Sequence, residues 1–355
     1  MNGQITKCLF LILCGAALTV QPLSALSAQT NPLDPIIAAA KKEGSVTLGI
    51  TILEKSHGKP TGALYLAAFQ KRYPFLKVNF KRIGGARERE RVIVEMSSGI
   101  FDYDVATAGE PMIPEIMNLK LPRIIEWQKL GIPKSIIHPK NIGISLRRPM
   151  FGIAYNRKLI PDEVAKTFTW ETCTDPKWKG KTSMLARARH LNTLYLDGAW
   201  GRAKTLDYAK RLAANKPALE DSQTTATEKV NTGTYHMLCG IPRSQVKDIQ
   251  INTGTKSLGI VYPEPVPVGV GELIYVPDKA KHPSAGILFL AWSSTQEAQK
   301  LLDDTDYSGD PQAEGSDAKE DIKGKKVIYA TWEDSAHADE NLAEILQAMG
   351  MPVVR

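Results

Sequence analysis

The sequence predicts an α/β protein in which strands alternate with helices. Short apolar runs typical of buried strands, such as 46–50 and 182–185, are separated by amphipathic segments of helical period, such as 61–73. The 355-residue chain is also long enough for two domains with separate hydrophobic cores. Strands joined by helices of this length indicate parallel β-α units, which bind ligands at the carboxyl ends of their strands.

The predicted elements begin near residue 35. Helices are predicted over 36–42, 61–73, 87–97, from 193, over 205–214 and 224–231, from 282, and over 341–349. Strands are predicted over 46–50, 78–80, 103–106, 151–156, 182–185, 235–239, 258–262, 273–276 and 327–331. The segment 303–323 is rich in Asp, Glu, Gly and Ser and is predicted to be an exposed loop or flexible insertion.

The first 28 residues have the layout of a secretory signal peptide. Lys7 is their only charged residue, an apolar run follows it, and small residues before Ala28 form a cleavage zone, with cleavage after Ala28 or after Ser27. The apolar run is shorter than the roughly 20 residues that a membrane-spanning helix needs. We therefore expect an exported chain that leaves the membrane after cleavage.

Two cysteines would remain after removal of this segment, Cys173 and Cys239. An oxidising compartment permits a disulfide between them, but spacing does not show whether they meet. We favour two buried thiols over a disulfide bridge. Metal ligation by these cysteines is the least favoured of the three. The net charge of +7 is spread along the chain without a basic stripe, which counts against a nucleic-acid partner.

One stretch points to a known family. Phe151–Asn156 is a buried strand ending in Tyr-Asn; Trp170 follows, and Asp175–Lys181 forms a Trp-Lys-Gly turn into the next strand. This order resembles the crossing between lobes in the type 2 periplasmic binding proteins, in the extracellular solute-binding family 1 branch of ferric, thiamine, polyamine and phosphonate binders. The resemblance implies a Venus-flytrap α/β fold, each lobe a mixed sheet flanked by helices, with a hinge between the lobes. Lobe 1 would comprise 30–148 and 273–355, and lobe 2 would comprise 149–272.

The resemblance also implies a function. Such proteins capture a small solute in the periplasm and deliver it to the permease subunits of an ABC importer in the inner membrane, as monomers, without a cofactor and without chemistry. The sequence contains no nucleophile elbow, zinc-protease motif, phosphate-binding loop or dinucleotide fingerprint. A secreted enzyme on the same fold and a ligand-sensing partner of a membrane receptor are the alternatives from other classes.

The loops at the strand ends supply the candidate ligand-binding residues. Helix amino termini and arginine guanidinium groups at such positions favour carboxylate or phosphate. The candidates from the first half of the chain are Ser56, His57, Gly85, Arg87, Glu110 and Tyr155. Those from the second half are Arg187, Arg189, His190, Thr224, Thr225 and Arg243. Among them, Arg87 and Arg187 are expected to face each other across the cleft.

The nature of the solute is predicted from the arginines and from one difference between this chain and the ferric-binding members of the resembled family. Ferric-binding members of the resembled family carry two adjacent tyrosines after the strand that corresponds to 235–239, whereas this chain has Gly240-Ile241-Pro242-Arg243 there. We therefore predict no metal site and a small anionic organic solute, a carboxylate, phosphonate or phosphate ester. Ferric ion carried with an anion is the alternative within the class.

Overall fold

Helices and strands alternate along the chain, as the apolar periodicity predicts. The computed structural model describes residues 31–52 and 59–351, and every structural statement below refers to these residues. The predicted signal peptide lies outside them. The α-helices are α1 Asp34–Glu43, α2 Thr61–Arg72, α3 Ala86–Ser97, α4 Ile113–Asn118, α5 Asp162–Ala165, α6 Arg189–Leu194, α7 Gly201–Ala214, α8 Gln223–Thr232, α9 Arg243–Thr253, α10 Pro283–Ser293, α11 Gln296–Asp306, α12 Asp317–Asp321, α13 Trp332–Ser335 and α14 Ala338–Ala348. The strands are β1 Ser45–Ile50, β2 Lys77–Arg82, β3 Ala106–Ala108, β4 Phe151–Asn156, β5 Thr182–Leu185, β6 Ala218–Glu220, β7 Met237–Pro242, β8 Leu258–Val261, β9 Val266–Val268, β10 Leu273–Tyr275 and β11 Val327–Tyr329.

Local signals in the sequence set the ends of several helices. The hydroxyl of Ser222 accepts a hydrogen bond from the backbone N–H of Thr225 and so caps the start of α8. The same helix ends at Gly233, whose φ of 88° is left-handed. Glycine adopts that conformation without the steric strain that a Cβ atom would cause.

The second lobe is built on a five-stranded mixed sheet with strand order β6-β5-β7-β4-β8. β5 runs parallel to β6 and β7, whereas β4 runs antiparallel to β7 and β8. All residues of β4 and β7 are buried. This explains why these two strands appear in the sequence as continuous apolar runs rather than alternating ones.

The first lobe contains two strand pairs joined by a bridge. β1 pairs in parallel with β2, and β3 pairs antiparallel with β10. A single parallel bridge connects Leu48 of β1 with Val105, which precedes β3. Because β10 follows the whole second-lobe sheet in sequence, the chain leaves the first lobe and returns to it.

The two connections between the lobes run side by side. Ile144 is bridged to Ile274, and Met150 to Val268, in the antiparallel sense. Each lobe has its own buried cluster: Leu48, Phe69 and Phe289 belong to the first, and Met184 and Tyr208 to the second. The fold is therefore a two-lobed α/β architecture, as the resemblance implies.

The exact residue boundaries of the lobes stay a prediction. The structure adds one fact that bears on them, since the C-terminal helix α14 inserts Ile345 and Met349 into the second-lobe cluster. The prediction assigns these residues, with the rest of 273–355, to the first lobe.

The prediction of an exposed loop over 303–323 is wrong, because much of this segment is folded and buried. Asp303 in α11 is fully buried, and its carboxylate accepts hydrogen bonds from Arg243 Nη1 at 3.2 Å and from the hydroxyl of Ser316 at 2.5 Å. Asp321 accepts from Arg243 Nε at 2.6 Å. The acidic residues that made the segment look solvated instead form ion pairs and cap the backbone.

Cys173 and Cys239 form a disulfide, so the preference for two buried thiols is wrong. The bridge joins the short 3₁₀ helix Trp170–Thr174 to β7, and both cysteines are fully buried. Their Cα atoms lie 6.3 Å apart, within the range that a disulfide spans. The bridge forms because the fold brings the two cysteines together. Their sequence separation of 66 residues does not show whether they are close in space.

The helices of the described residues are all too short or too polar to cross a lipid bilayer.

Candidate functional site

A cleft of about 1860 Å³ is lined by residues of both lobes, and we refer to it as the interlobe cleft. Glu110 lines it from the first lobe, after β3, and Arg187 and Arg189 line it from the second lobe, after β5. Residues of the C-terminal segment 330–351, which includes α13 and α14, form a further wall of the cleft. The position agrees with the expectation that ligands bind at the carboxyl ends of the strands.

Glu110 is the first-lobe carboxyl that faces the second lobe. Burial raises its pKa, and the nearby carboxylate of Asp339 acts in the same direction. Arg189 and the backbone of Gly271 act in the opposite direction, but they do not cancel the effect of burial. This carboxyl is therefore easier to protonate than an exposed one, and in the protonated form it donates a hydrogen bond into the cleft.

Arg187 and Arg189 are the two arginines of the cleft wall. Both side chains are exposed, and neither forms an ion pair with the described residues. Ala188 between them has a left-handed φ of 40°, which turns the chain sharply at the end of β5. Two guanidinium groups thus reach the cleft from one tight turn, with their hydrogen-bond donors available to a ligand.

A second polar cluster lies at the carboxyl ends of β1 and β3, and it was not predicted from the sequence. The carboxylate of Glu272 accepts hydrogen bonds from Arg89, from the hydroxyl of Thr51 after β1, and from the hydroxyl of Thr107 in β3 at 3.3 Å. Arg147 Nη2 lies 3.7 Å from the same carboxylate.

The cluster extends from Arg147 into the C-terminal part of the chain. Arg147 Nη1 donates to the carboxylate of Asp306 in α11 at 3.1 Å, and its Nη2 donates to Thr51 at 2.6 Å. Burial alone would raise the pKa of Glu272, but Arg147 and Arg89 outweigh it and lower that pKa below its ordinary value. The two arginines and two carboxylates balance each other, so this cluster offers a ligand no excess charge.

The comparisons with known proteins identify the family. The sequence matches the family model described as bacterial extracellular solute-binding protein over residues 64–331, most of the chain. The chain belongs to this family. Its members are extracellular solute-binding proteins, and those of ABC importers work with permease subunits in the inner membrane. No similar sequence was found among the curated proteins.

Solved structures confirm the fold of this solute-binding protein. Iron-bound HitA from Pseudomonas aeruginosa is 18% identical, with a TM-score of 0.62 over 85% of this chain and 99% of that one. The Trichodesmium protein IdiA (FutA), solved with iron and citrate, is 18% identical, with a TM-score of 0.67 over 87% and 100%. The substrate-binding protein of an ABC transporter from Agrobacterium tumefaciens is 15% identical, with a TM-score of 0.63 over 87% and 96%. Identities this low establish a shared fold and nothing finer.

Not every predicted site residue lies at the interlobe cleft. Arg87 is exposed and is not among the residues that line the cleft; that it faces Arg187 stays a prediction. Gly85 caps α3 with a φ of −100°, and the carboxylate of Glu88 accepts hydrogen bonds from the N–H groups of Gly84 and Gly85. The N–H groups at the start of α3 are therefore already hydrogen-bonded to the carboxylate of Glu88 in the same helix. Ser56 and His57 lie outside the described residues.

Three of the predicted residues are buried inside the protein. Tyr155 is buried and donates to Asp162 at 2.6 Å, and Arg243 is held by Asp303 and Asp321. His190 is stacked on Trp170 with ring centroids 5.3 Å apart. Burial lowers the pKa of His190 to about 3, so it is neutral at pH 7, and neither ring nitrogen has a partner among the described residues.

Thr224 and Thr225 are exposed in the first turn of α8. The backbone N–H of Thr225 is used by the Ser222 cap, and the Thr224 hydroxyl accepts from Gln245 at 3.4 Å. Their role in binding a ligand stays a prediction.

Acidic residues outnumber cationic ones in the lining of the cleft, where Lys140, Arg187 and Arg189 are the cationic side chains. Besides Glu110, the acidic residues that line it are Glu90, Asp221, Glu333, Asp334, Asp339, Glu340 and Glu344. Some of them have partners, such as Glu344 with Arg202 and Tyr195. Within the described residues, no group of three or more His, Cys, Asp or Glu side chains is arranged to hold a metal ion.

Proposed function

We propose that this solute-binding protein captures a small organic solute with an anionic group, such as a carboxylate, phosphonate or phosphate ester, and delivers it to an ABC importer. The observation that carries the proposal is the pair Arg187 and Arg189, exposed in the interlobe cleft without an ion pair among the described residues. Planar guanidinium groups bind such anions through two parallel hydrogen bonds.

The other arginines near the strand ends are already paired with carboxylates, which favours Arg187 and Arg189 as the residues that bind the solute anion. Arg89 and Arg147 are already bound to Glu272, and Arg243 to Asp303 and Asp321. A solute anion would have to displace an internal carboxylate to reach any of them. Arg187 and Arg189 require no such exchange.

The carboxylates of α13 and α14 that also line the cleft restrict the rest of the solute. A solute with negative charge at both ends would be repelled by the carboxylates of α13 and α14. We therefore propose that the anionic group points toward the turn after β5. Hydroxyl, amide or amino groups of the solute would then face Glu110 and the C-terminal wall as hydrogen-bond donors.

A ligand screen followed by calorimetry tests the proposal. Thermal shift of the purified protein against monocarboxylates, phosphonates, phosphate monoesters, citrate and ferric citrate should reveal the solute class. Saturation at 100 times Kd adds roughly 2.7 kcal/mol of stability. The strongest stabiliser is then titrated into variants Arg187→Ala and Arg189→Ala.

The expected result is at least a tenfold loss of affinity in each variant, since a charge-assisted hydrogen bond contributes roughly 1.5–3 kcal/mol. Arg87→Ala is the matched control, because Arg87 is also exposed but does not line the cleft. Unchanged affinity in both cleft variants, or an equal loss in the control, would contradict the site.

Ferric ion is the second candidate, favoured by the two similar structures that contain iron. The chain lacks the tyrosine pair after β7, and a ferric ion prefers anionic oxygen ligands. We expect the protein to stay colourless when ferric citrate is added. A strong visible charge-transfer band from tyrosinate to iron would instead establish the ferric candidate.

A further inference from the structure

A cavity of about 520 Å³ lies beside the segments that connect the lobes, and we call it the hinge cavity. It adjoins the interlobe cleft and shares lining residues with it, among them Val270 and Glu333. Ser145 and Arg148 line it from the first connection, Val270 from the second, and Tyr329 and Trp332 from the C-terminal segment. Its volume falls in the range of about 300–1,000 Å³ typical of small-molecule sites. Residues from three parts of the chain therefore enclose a space large enough for an organic ligand.

A buried cation forms one wall of the hinge cavity. Arg148 is 6% exposed, and its guanidinium donates to the carbonyl of Gly269 at 3.3 Å, to Gln312 Oε1 at 3.0 Å and to the carbonyl of Ala330 at 2.6 Å. All three acceptors are neutral. Asp310 is the nearest carboxyl that acts on its charge, but the two side chains are not in ion-pair contact. The guanidinium of Arg148 is thus held in place by hydrogen bonds, but no carboxylate forms an ion pair with it among the described residues.

The remaining walls are aromatic. The guanidinium of Arg148 lies over the ring of Tyr329, 5.0 Å from its centroid. Trp332 packs against His138 with ring centroids 5.1 Å apart, and this pair also lines the interlobe cleft. His138 Nδ1 accepts the backbone N–H of Lys140 at 3.2 Å, so the neutral ring carries its proton on Nε2. The cavity therefore combines flat apolar surfaces with hydrogen-bond donors.

The charges at the rim are of both signs. Lys134 and Glu333 line the cavity together with Arg148, and both rim side chains are exposed. Among the side chains that line the cavity, two cations and one carboxylate leave an excess of one positive charge, which the buried Asp310 behind Arg148 partly offsets. An anion on a flat apolar body matches this combination, because burying an unneutralised guanidinium is costly without a nearby negative charge.

We propose that the hinge cavity is a second ligand site, distinct from the interlobe cleft, and that it takes a small aromatic carboxylate. The carboxylate lies toward Arg148 and Lys134, and the ring lies against Tyr329 and Trp332. Because the cavity contacts both connections between the lobes, its ligand binds at the place where the molecule bends.

Benzoate is the probe, with benzamide as its uncharged counterpart of the same shape. Calorimetry on the full protein should show benzoate binding, while benzamide binds at least about threefold more weakly because it lacks the charge. Lys134→Glu reverses an exposed charge at the cavity rim and should weaken benzoate binding at least about threefold. Lys140→Glu is the matched control, since Lys140 is exposed and lines the interlobe cleft but not the hinge cavity.

The double variant Arg187→Ala/Arg189→Ala separates the two sites. It should leave benzoate affinity unchanged, whatever it does to the solute of the interlobe cleft. No benzoate binding up to about 10 mM would overturn the proposal. So would equal binding of benzamide, equal effects of the two lysine variants, or loss of benzoate binding in the arginine double variant.

Discussion

At the scale of single residues, arginine placement shows what the sequence could predict and what it could not. Alternating charges in α3 identify a polar helix, but not which side chains turn toward the protein. Two residues apart on a helix means about 200° of rotation, so Arg87 is exposed while Arg89 reaches Glu272. The orientation of α3 against the sheet decides this, and that orientation depends on tertiary packing.

Arg243 is expected to be a major contributor to stability. Its side chain is 4% exposed and is paired with Asp303, which is fully buried. Arg243→Ala leaves that carboxylate without its cationic partner, and breaking a buried ion pair typically costs about 3–5 kcal/mol. Denaturant unfolding of the variant should show a loss of this size, whereas Arg87→Ala should change stability by less than about 0.5 kcal/mol. Equal stability of the two variants would mean that Asp303 finds other partners.

Glu272 is expected to make stability depend on pH. Its pKa in the folded protein is lowered, despite burial, chiefly by Arg147 and Arg89. The stabilisation is therefore present above the pKa of the unfolded chain and is lost as the pH falls through the lower folded value. The difference in unfolding free energy between the wild type and Glu272→Gln should shrink as the pH falls below the ordinary glutamate pKa and through the lowered folded value. Glu115→Gln, at an exposed carboxylate, should show no such trend, and a constant difference for Glu272→Gln would refute the charge argument.

At the scale of helices and strands, the periodic segments were predicted well and the polar ones poorly. The strand over 182–185 matches β5, and the helix over 61–73 matches α2 within one residue. The strand predicted over 103–106 instead begins at Ala106, and 303–323 is folded rather than exposed. Apolar periodicity reports burial of hydrocarbon, whereas Asp303 is buried by specific hydrogen bonds that no periodicity reveals.

The disulfide is expected to stabilise the second lobe against unfolding. It closes a loop over a sequence separation of 66 residues, for which the loss of chain entropy in the unfolded state corresponds to roughly 4 kcal/mol. Reducing agent should lower the denaturant midpoint of the wild type. The Cys173→Ala/Cys239→Ala variant should be less stable and insensitive to reductant. It also shows whether any effect of reductant comes from Cys8 or Cys14, which the variant retains. A midpoint that reductant leaves unchanged in the wild type would contradict a structural role.

At the scale of the whole molecule, the lobes are separate cores joined by adjacent connections and by one shared helix. α11 places Asp303 on Arg243 of the second lobe and Asp306 on Arg147 at the first-lobe cluster. These carboxylates lie three residues apart and so face the same side of the helix. The resemblance from the crossing segment predicted the two lobes. It could not predict this tie, because the pairing depends on where the C-terminal segment returns.

Closure on the solute is the prediction that belongs to this scale. The connections are bridged at Ile144–Ile274 and Met150–Val268, a narrow region about which two separate cores can rotate as rigid bodies. A solute held by Arg187 and Arg189 from the second lobe and by Glu110 from the first would draw the lobes together. Small-angle scattering at saturating solute should therefore show a smaller radius of gyration than the free protein. Arg187→Ala/Arg189→Ala should stay expanded at the same concentration, because the second lobe has lost its contacts with the anion. An unchanged radius for the saturated wild type would mean that the solute binds without bridging the lobes, and the tie through α11 would then be rigid enough to hold their angle.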